Sequence, residues 1–170
     1  VPRTIRRMRP WHRYAVIEVG TETPGQIARS ARLVKPHVAI VLAVARTHTN
    51  EFQTLEDTAI EKASLLDHLV TGGTAVLNGD DPHVRPMAER VHGRVVMYGR
   101  TGDCDVVADD VRASWPERLQ FTVRDDGDPV PVRTQLVGAH WLSSALAALA
   151  VARACDIPLR AAAEALAGVT

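Results

Sequence analysis

The hydrophobic positions follow two alternating patterns along the first hundred residues, and these patterns predict strands and helices in turn. Short apolar runs that end at Gly, Asn or a polar residue predict buried strands at 14–20, 37–44, 74–78 and 94–99. Between them, apolar residues at helical spacing predict helices over 23–36, 54–70 and 81–91. Strands separated by helices of this length imply right-handed crossovers and a mainly parallel sheet.

After Gly99 the pattern changes to extended segments at 105–113, 118–126 and 129–138, with Asp126-Gly127 as a hairpin signal. Two Ala-rich helices are then predicted, at 139–155 and 159–169. We therefore predict an α/β fold of three layers: a mostly parallel sheet flanked by helices, with a small antiparallel β appendage. Residues 1–13 hold five arginines and no acid, and we interpret them as a basic connecting segment before a domain at 14–170.

The charge balance narrows the classes of function. Twenty basic and 20 acidic residues give no net charge, whereas a protein that binds nucleic acid through phosphates normally has a basic excess. No apolar run is long enough to span a bilayer, so no membrane partner is expected. The two cysteines, Cys104 and Cys155, are too few for a disulfide framework and favour a reducing, cytoplasmic setting.

Chemically capable side chains fall where the predicted strands end, which is where ligands bind in open α/β sheets. They are Glu18, His48, Asn78 and the pair Asp80-Asp81. Glu18 lies within an apolar strand pattern, and with His48 it predicts a site for Mg²⁺ beside phosphates. The alternative is that Glu18 only ends its strand and His48 only caps a loop.

The order of five segments gives the chain a family resemblance. IEVGTETPGQIARSARLVKPHVAIVLAV, HTNEFQTLEDTAIEKASLL, AVLNGDDPHV, MYG and VGAHWLSSALAALAVARACDI resemble, in that order, the central ATP-binding domain of the Mur ligases. The PGQI turn makes the chain most similar to the MurF type, which adds D-alanyl-D-alanine to UDP-N-acetylmuramoyl-tripeptide. The resemblance runs from about Tyr14 to the C-terminus, and it implies a cytoplasmic ligase of peptidoglycan precursor synthesis.

The resemblance implies a reaction and a set of site residues. ATP phosphorylates a substrate carboxylate, and the amine of the second substrate attacks the acyl phosphate. By motif position, Glu18 and His48 match magnesium-site residues, and Lys62, one of only two lysines, matches the lysine near the transferred phosphate. The positions matched to nucleotide contacts are Asn78, Asp80, Asp81 and His140. For the Asn-Asp segment, an Asx turn in which Asp81 caps the next helix remains an equal alternative.

The chain also departs from the family pattern. The Gly-rich phosphate loop G-T-x-G-K-T, expected before Tyr14, does not occur in the chain, and neither do the family's N- and C-terminal domains. The usual Thr-Asn after the second strand is Leu42-Ala43, and the asparagines of the adenine motif are Trp141 and Ser144. A glutamate usual two residues after the lysine is Ser64.

These departures leave several interpretations open. The chain is either the central part of an ATP-dependent amide ligase, not expected to be active alone, or a non-catalytic Mur-like binding module. A folylpolyglutamate or cyanophycin type of ligase is a third alternative, which the PGQI segment disfavours. A homo-oligomer that covers exposed sheet edges is a further expectation.

Overall fold

Six strands form one sheet in which each strand lies beside its neighbour in chain order. The computed structural model describes residues 1–45, 52 and 54–169. The strands are β1 (Val38–Val41), β2 (Thr74–Asn78), β3 (Arg94–Gly99), β4 (Val106–Arg112), β5 (Gln120–Arg124) and β6 (Val130–Arg133). Strands β1 to β4 pair in parallel, and β4, β5 and β6 pair antiparallel.

Five α-helices and three short 3₁₀ segments are described around the sheet. The helices are α1 (Pro2–Arg7), α2 (Gln26–Val34), α3 (Leu55–Ala63), α4 (Leu142–Ala154) and α5 (Leu159–Leu166). The 3₁₀ segments are Leu66–His68, Arg85–Arg90 and Ala139–Trp141. Local sequence explains several ends: Thr54 and Asp57 form a capping box at the start of α3, and α2 ends at Lys35, before Pro36.

The core consists of two apolar clusters, one on each face of the sheet. Every residue of β2 is buried, and successive side chains point to opposite faces. Val76 packs in the cluster that includes the buried residues of α4 and α5, and Leu77 packs in the cluster that includes Ala63 and Met87. A sheet between two helical layers is the three-layer arrangement predicted from the sequence.

The first predicted strand, at 14–20, is wrong. This segment has no regular secondary structure and joins no strand pair among the described residues, and Val16 is 92% exposed. An apolar run becomes a strand only where a neighbouring backbone pairs with it, and β1 pairs in the described sheet with β2 alone. The second predicted strand is shorter than expected, since β1 ends at Val41.

The small antiparallel part predicted after Gly99 is present and is continuous with the parallel strands. Tyr98 and Gly99 of β3 pair in parallel with Val106 and Val107 of β4, so the antiparallel strands extend the main sheet. The hairpin predicted at Asp126-Gly127 is confirmed between β5 and β6.

Two of the predicted helices are shorter or tighter than expected. The helix predicted over 54–70 ends at Ala63, and the one predicted over 81–91 is a 3₁₀ segment that contains Pro86. In the basic segment 1–13, α1 buries none of its residues. The described helices include none whose length and hydropathy would allow a membrane crossing.

The position of α4 in the core makes its apolar residues the most sensitive to truncation. Leu149 is fully buried, so Leu149→Ala should lower the free energy of unfolding by about 2–5 kcal/mol. Ile60 lies on α3 and is 64% exposed, so Ile60→Ala should cost less than about 1 kcal/mol. Urea denaturation of the two variants measures the difference, and equal losses would contradict this placement of α4.

Candidate functional site

Asn78, the last residue of β2, links three segments at the carboxyl edge of the sheet. Its side chain is buried, and Nδ2 donates to the carbonyl oxygen of Leu42 at 2.8 Å and lies 3.4 Å from Ser143 Oγ. Its Oδ1 accepts from the backbone N–H of Asp80 at 3.0 Å. The Asn78 amide therefore fixes the chain just after β1 against the start of α4.

Asp81 binds backbone N–H groups on two sides. Oδ2 accepts from the N–H of Val44 at 2.9 Å, and Oδ1 accepts from the N–H groups of His83 and Val84 at 2.8 and 3.1 Å. The second pair is the Asx turn that the sequence left open as an alternative. Both carboxylate oxygens therefore accept hydrogen bonds from backbone N–H groups of loops. These bonds account for an aspartate at position 81 without a direct contact with a nucleotide.

Asp80 joins β2 to the end of β3. Its two carboxylate oxygens each lie 2.9 Å from the backbone nitrogen of Arg100 and accept its N–H. The approach requires glycine at position 99, because a Cβ there would lie 2.5 Å from Asp80 Oδ1. Asp80 therefore holds the segment after β2 against the end of β3, at the same edge as Asn78.

Tyr98 places a buried hydroxyl beneath this edge. The side chain is fully buried, and its hydroxyl has no hydrogen-bond partner among the described residues. Burial raises the pKa of Tyr98 to about 12; the neighbouring Ser143 hydroxyl, although outside hydrogen-bond geometry, opposes the rise, and the charges of Asp80 and Asp81 add to it. Sequence reasoning did not single out Tyr98.

His140 lies in the 3₁₀ turn that leads into α4. Its ring is exposed and 5.4 Å from that of Trp141, with an angle of 43° between the ring planes. Gly138 adopts a φ of +97°, and a Cβ there would lie 2.8 Å from the His140 imidazole. Two adjacent exposed rings thus lie in the turn directly before α4, the helix whose Ser143 contacts Asn78.

The residues predicted to act on metal and phosphate lie on other segments. Glu18 is exposed in the irregular segment before α2, and Lys62 is half-buried on α3. His48 lies outside the described residues, so its expected proximity to Glu18 stays a prediction. Within the described ranges, no group of three or more His, Cys, Asp or Glu side chains could hold a metal ion.

Glu61, the residue before Lys62, is a buried carboxylate that sequence reasoning missed. It accepts hydrogen bonds from the backbone N–H groups of Gly25 and Ile27, at the start of α2. One signal pointed to it: α2 follows Pro24-Gly25 and has no side-chain cap of its own, so its first N–H groups need an acceptor from elsewhere.

The family model for the Mur ligase middle domain matches residues 1–152 of this chain. A UDP-N-acetylmuramoyl-tripeptide–D-alanyl-D-alanine ligase from Mycobacterium bovis is 35% identical over 153 residues, which are 90% of this chain and 30% of that protein. The chain therefore spans about a third of the length of this relative.

Two solved structures share the fold. MurF from Acinetobacter baumannii superposes with a TM-score of 0.89 at 25% identity, over 96% of this chain and 36% of that chain. MurF from Thermotoga maritima in complex with ADP superposes with a TM-score of 0.76 at 23% identity, over 88% of this chain and 34% of that chain.

The contacts of Asp81 predict a structural cost for its removal. Asp81→Ala should lower the free energy of unfolding by about 1–3 kcal/mol, because it leaves backbone N–H groups without their acceptor. Asp67, which forms a half-exposed ion pair with Arg90, is the matched control, and Asp67→Ala should cost less than about 1 kcal/mol. Denaturation curves that show the larger loss for Asp67→Ala would overturn the assignment.

The buried Tyr98 hydroxyl predicts a loss of stability at alkaline pH. The pKa of Tyr98 is raised from 10.0 to about 12 in the folded state. The free energy of unfolding that the neutral hydroxyl contributes should therefore be complete below pH 10 and be lost as the pH rises through 12. Tyr98→Phe should remove this part of the pH dependence and leave stability at neutral pH unchanged or higher, since the lost hydroxyl has no described partner. Urea midpoints measured across this pH range test it, and an identical alkaline loss in both proteins would refute it.

Proposed function

The chain belongs to the Mur ligase family as its middle domain, and from that premise we propose that it is the central part of an ATP-dependent ligase of peptidoglycan precursor synthesis. The match to the family model over residues 1–152 carries the proposal. The relatives named above favour the MurF reaction, in which D-alanyl-D-alanine is joined to a UDP-linked muramoyl tripeptide.

The proposed chemistry is the activation of a carboxylate followed by the formation of an amide. ATP supplies the phosphoryl group that converts the substrate carboxylate to an acyl phosphate, and the incoming amine then displaces phosphate. Catalysis of this kind depends on positioning and on charge opposite the phosphates. The complex that MurF from Thermotoga maritima forms with ADP supports the use of ATP.

We assign the charged role near the transferred phosphate to Lys62. It is one of only two lysines, and its side chain is half-buried on α3, next to the buried Glu61. The exposed carboxylate of Glu18 would be one ligand for Mg²⁺, with His48 as the second candidate. Because the described residues contain no complete set of ligands, no step of the reaction is assigned to the metal.

The nucleotide side is assigned to the edge organised by Asn78, Asp80 and Asp81. Their hydrogen bonds to backbone groups support an indirect role, in which they shape the loops rather than contact the nucleotide. His140, exposed at the start of α4, is the candidate for contact with adenine. The two free cysteines support the cytoplasm as the proposed location.

A non-catalytic binding module is the second candidate, and the positions of the departures from the family pattern favour it. Leu42, Ala43, Trp141 and Ser144 are all exposed at or beside the edge of the site. Substitutions at these exposed positions change the surface that a ligand would contact and leave the core unchanged. The two candidates differ in whether the protein turns over ATP.

The two lysines provide a matched pair for testing the ligase. In the longest natural protein that contains this chain, Lys62→Ala should lower ligation of D-alanyl-D-alanine to UDP-N-acetylmuramoyl-tripeptide by about 100-fold or more, because a charge opposite the phosphate is lost. Lys35→Asn is the control: Lys35 ends α2 with a φ of +47°, a conformation that Asn tolerates, and activity should be unchanged.

The assay follows release of phosphate from ATP together with formation of the peptide product. Equal activity of Lys62→Ala and the unaltered protein would refute the assignment of Lys62. Absence of turnover in the unaltered protein, with retained binding of the UDP-linked peptide, would support the binding module instead.

A further inference from the structure

Glu61 is the single buried charged residue in the part of the chain that the structure describes. Its exposure is 7%, and the other buried polar side chains there are threonines and an asparagine. A carboxylate taken out of water is costly unless it is hydrogen-bonded, so its partners show what it does. The proposed ligase mechanism assigns no role to this residue.

The partners of Glu61 lie in the turn that precedes α2 and in the first turn of α2 itself. Oε2 accepts from the N–H of Gly25 at 2.7 Å, and Oε1 accepts from the N–H of Ile27 at 2.9 Å. The Thr21 hydroxyl lies 3.3 Å from Oε1 and also donates to the carbonyl oxygen of Thr23 at 2.8 Å. These contacts span 34 to 40 positions of sequence, so they fix tertiary rather than local structure.

The start of α2 has no side-chain cap of its own for the N–H groups of Gly25 and Ile27. Gly25 adopts a φ of +81° at the N-cap position and has no side chain, and the first N–H groups of a helix have no acceptor within it. The positive end of the helix dipole adds to the preference for an anion. A carboxylate suits this position better than an amide, since Gln would offer one oxygen and turn its NH₂ group toward an N–H donor.

The same carboxylate belongs to α3, the helix that carries Lys62. The segment it holds, Thr21–Ile27, directly follows the irregular stretch that contains Glu18. We propose that Glu61 is a positioning residue: it latches the Thr21–Ile27 turn onto α3 and thereby sets the position of Lys62 relative to the Glu18 segment. Its effect on catalysis rests on the proposed function, whereas the latch itself does not.

Hydrogen exchange tests the latch in this chain. Glu61→Gln should accelerate exchange of the Gly25 and Ile27 amides at least about tenfold, while amides of β2 and β3 keep their rates. Glu61→Asp, which keeps the charge but is one methylene shorter, should give an intermediate rate. Glu56→Gln, at an exposed position of the same helix, is the control and should leave all of these rates unchanged.

The unaltered chain provides a check that requires no variant to fold. The N–H of Gly25 has Glu61 as its acceptor and no intrahelical partner, so its exchange should be slow only if the latch is closed in solution. Rapid exchange of Gly25 in the unaltered chain, or equal rates in Glu61→Gln, would overturn the latch.

The reactivity of the two lysines tests positioning, which a purely stabilising role would leave unchanged. Reductive methylation followed by mass spectrometry gives the rate of Lys62 relative to that of Lys35, at the far end of α2. Glu61→Gln should raise this ratio at least about twofold, because the released turn no longer holds the surroundings of Lys62. An unchanged ratio, with accelerated exchange at Gly25, would overturn the positioning role.

Kinetics of the longest natural protein that contains this chain separate this proposal from the ligase assignment. Glu61→Gln should lower kcat about tenfold or more with little change in KM for ATP, and Glu61→Asp should recover part of kcat. An unchanged kcat in an active ligase would overturn the catalytic consequence. If the unaltered protein does not turn over ATP, the ligase assignment fails, and the exchange and methylation results still decide the latch.

Discussion

Burial of the central strands on both faces is the constraint from which the rest of the structure follows. Because β2 has no exposed residue, polar chemistry can occur only where the strands end, and the backbone groups released there need partners. Asn78 and Asp81 supply them to the chain just after β1, through the carbonyl of Leu42 and the N–H of Val44. The geometry of the candidate site is therefore a consequence of closing the sheet edge.

The periodicity of hydrophobic residues predicted two kinds of element: those that are stabilised by adjacent residues, and strands that lie between two other strands. The runs that became β2 and β3, the hairpin between β5 and β6, and the Ala-rich helix α4 all carry their signal in a few adjacent residues. The run at 14–20 has the same apolar signal, yet it forms no ladder among the described strands. Pairing depends on a neighbouring backbone, which a one-dimensional pattern does not contain.

The candidate site was also predictable only where its signal lies in a few adjacent residues. The rule that ligands bind at the carboxyl ends of parallel strands named Asn78, Asp80 and Asp81, at or just after the end of β2, and also Glu18 and His48. Glu18 follows no described strand, His48 lies outside the described residues, and the functional role of all five stays a prediction. Several partners of the three residues at the end of β2, at Leu42, Val44 and Arg100, are backbone groups of distant segments, which residue types cannot specify. Glu61 was missed because the N–H group that it accepts from belongs to Gly25, at the start of another helix.

Anchoring through backbone groups also explains how the family fold accommodates the departures at the site. Leu42 is held by its carbonyl oxygen, so Asn78 can bind there whatever side chain position 42 carries, and that side chain is 47% exposed. Trp141 is likewise 43% exposed, whereas Ser143, two residues later, keeps its contact with Asn78. Substitutions at these positions therefore alter the surface that a ligand meets while the hydrogen bonds that shape the edge persist. The shape of this edge and the surface that it presents therefore depend on different atoms: hydrogen bonds of Leu42 and Ser143 hold the edge, and the exposed side chains of Leu42 and Trp141 form its surface.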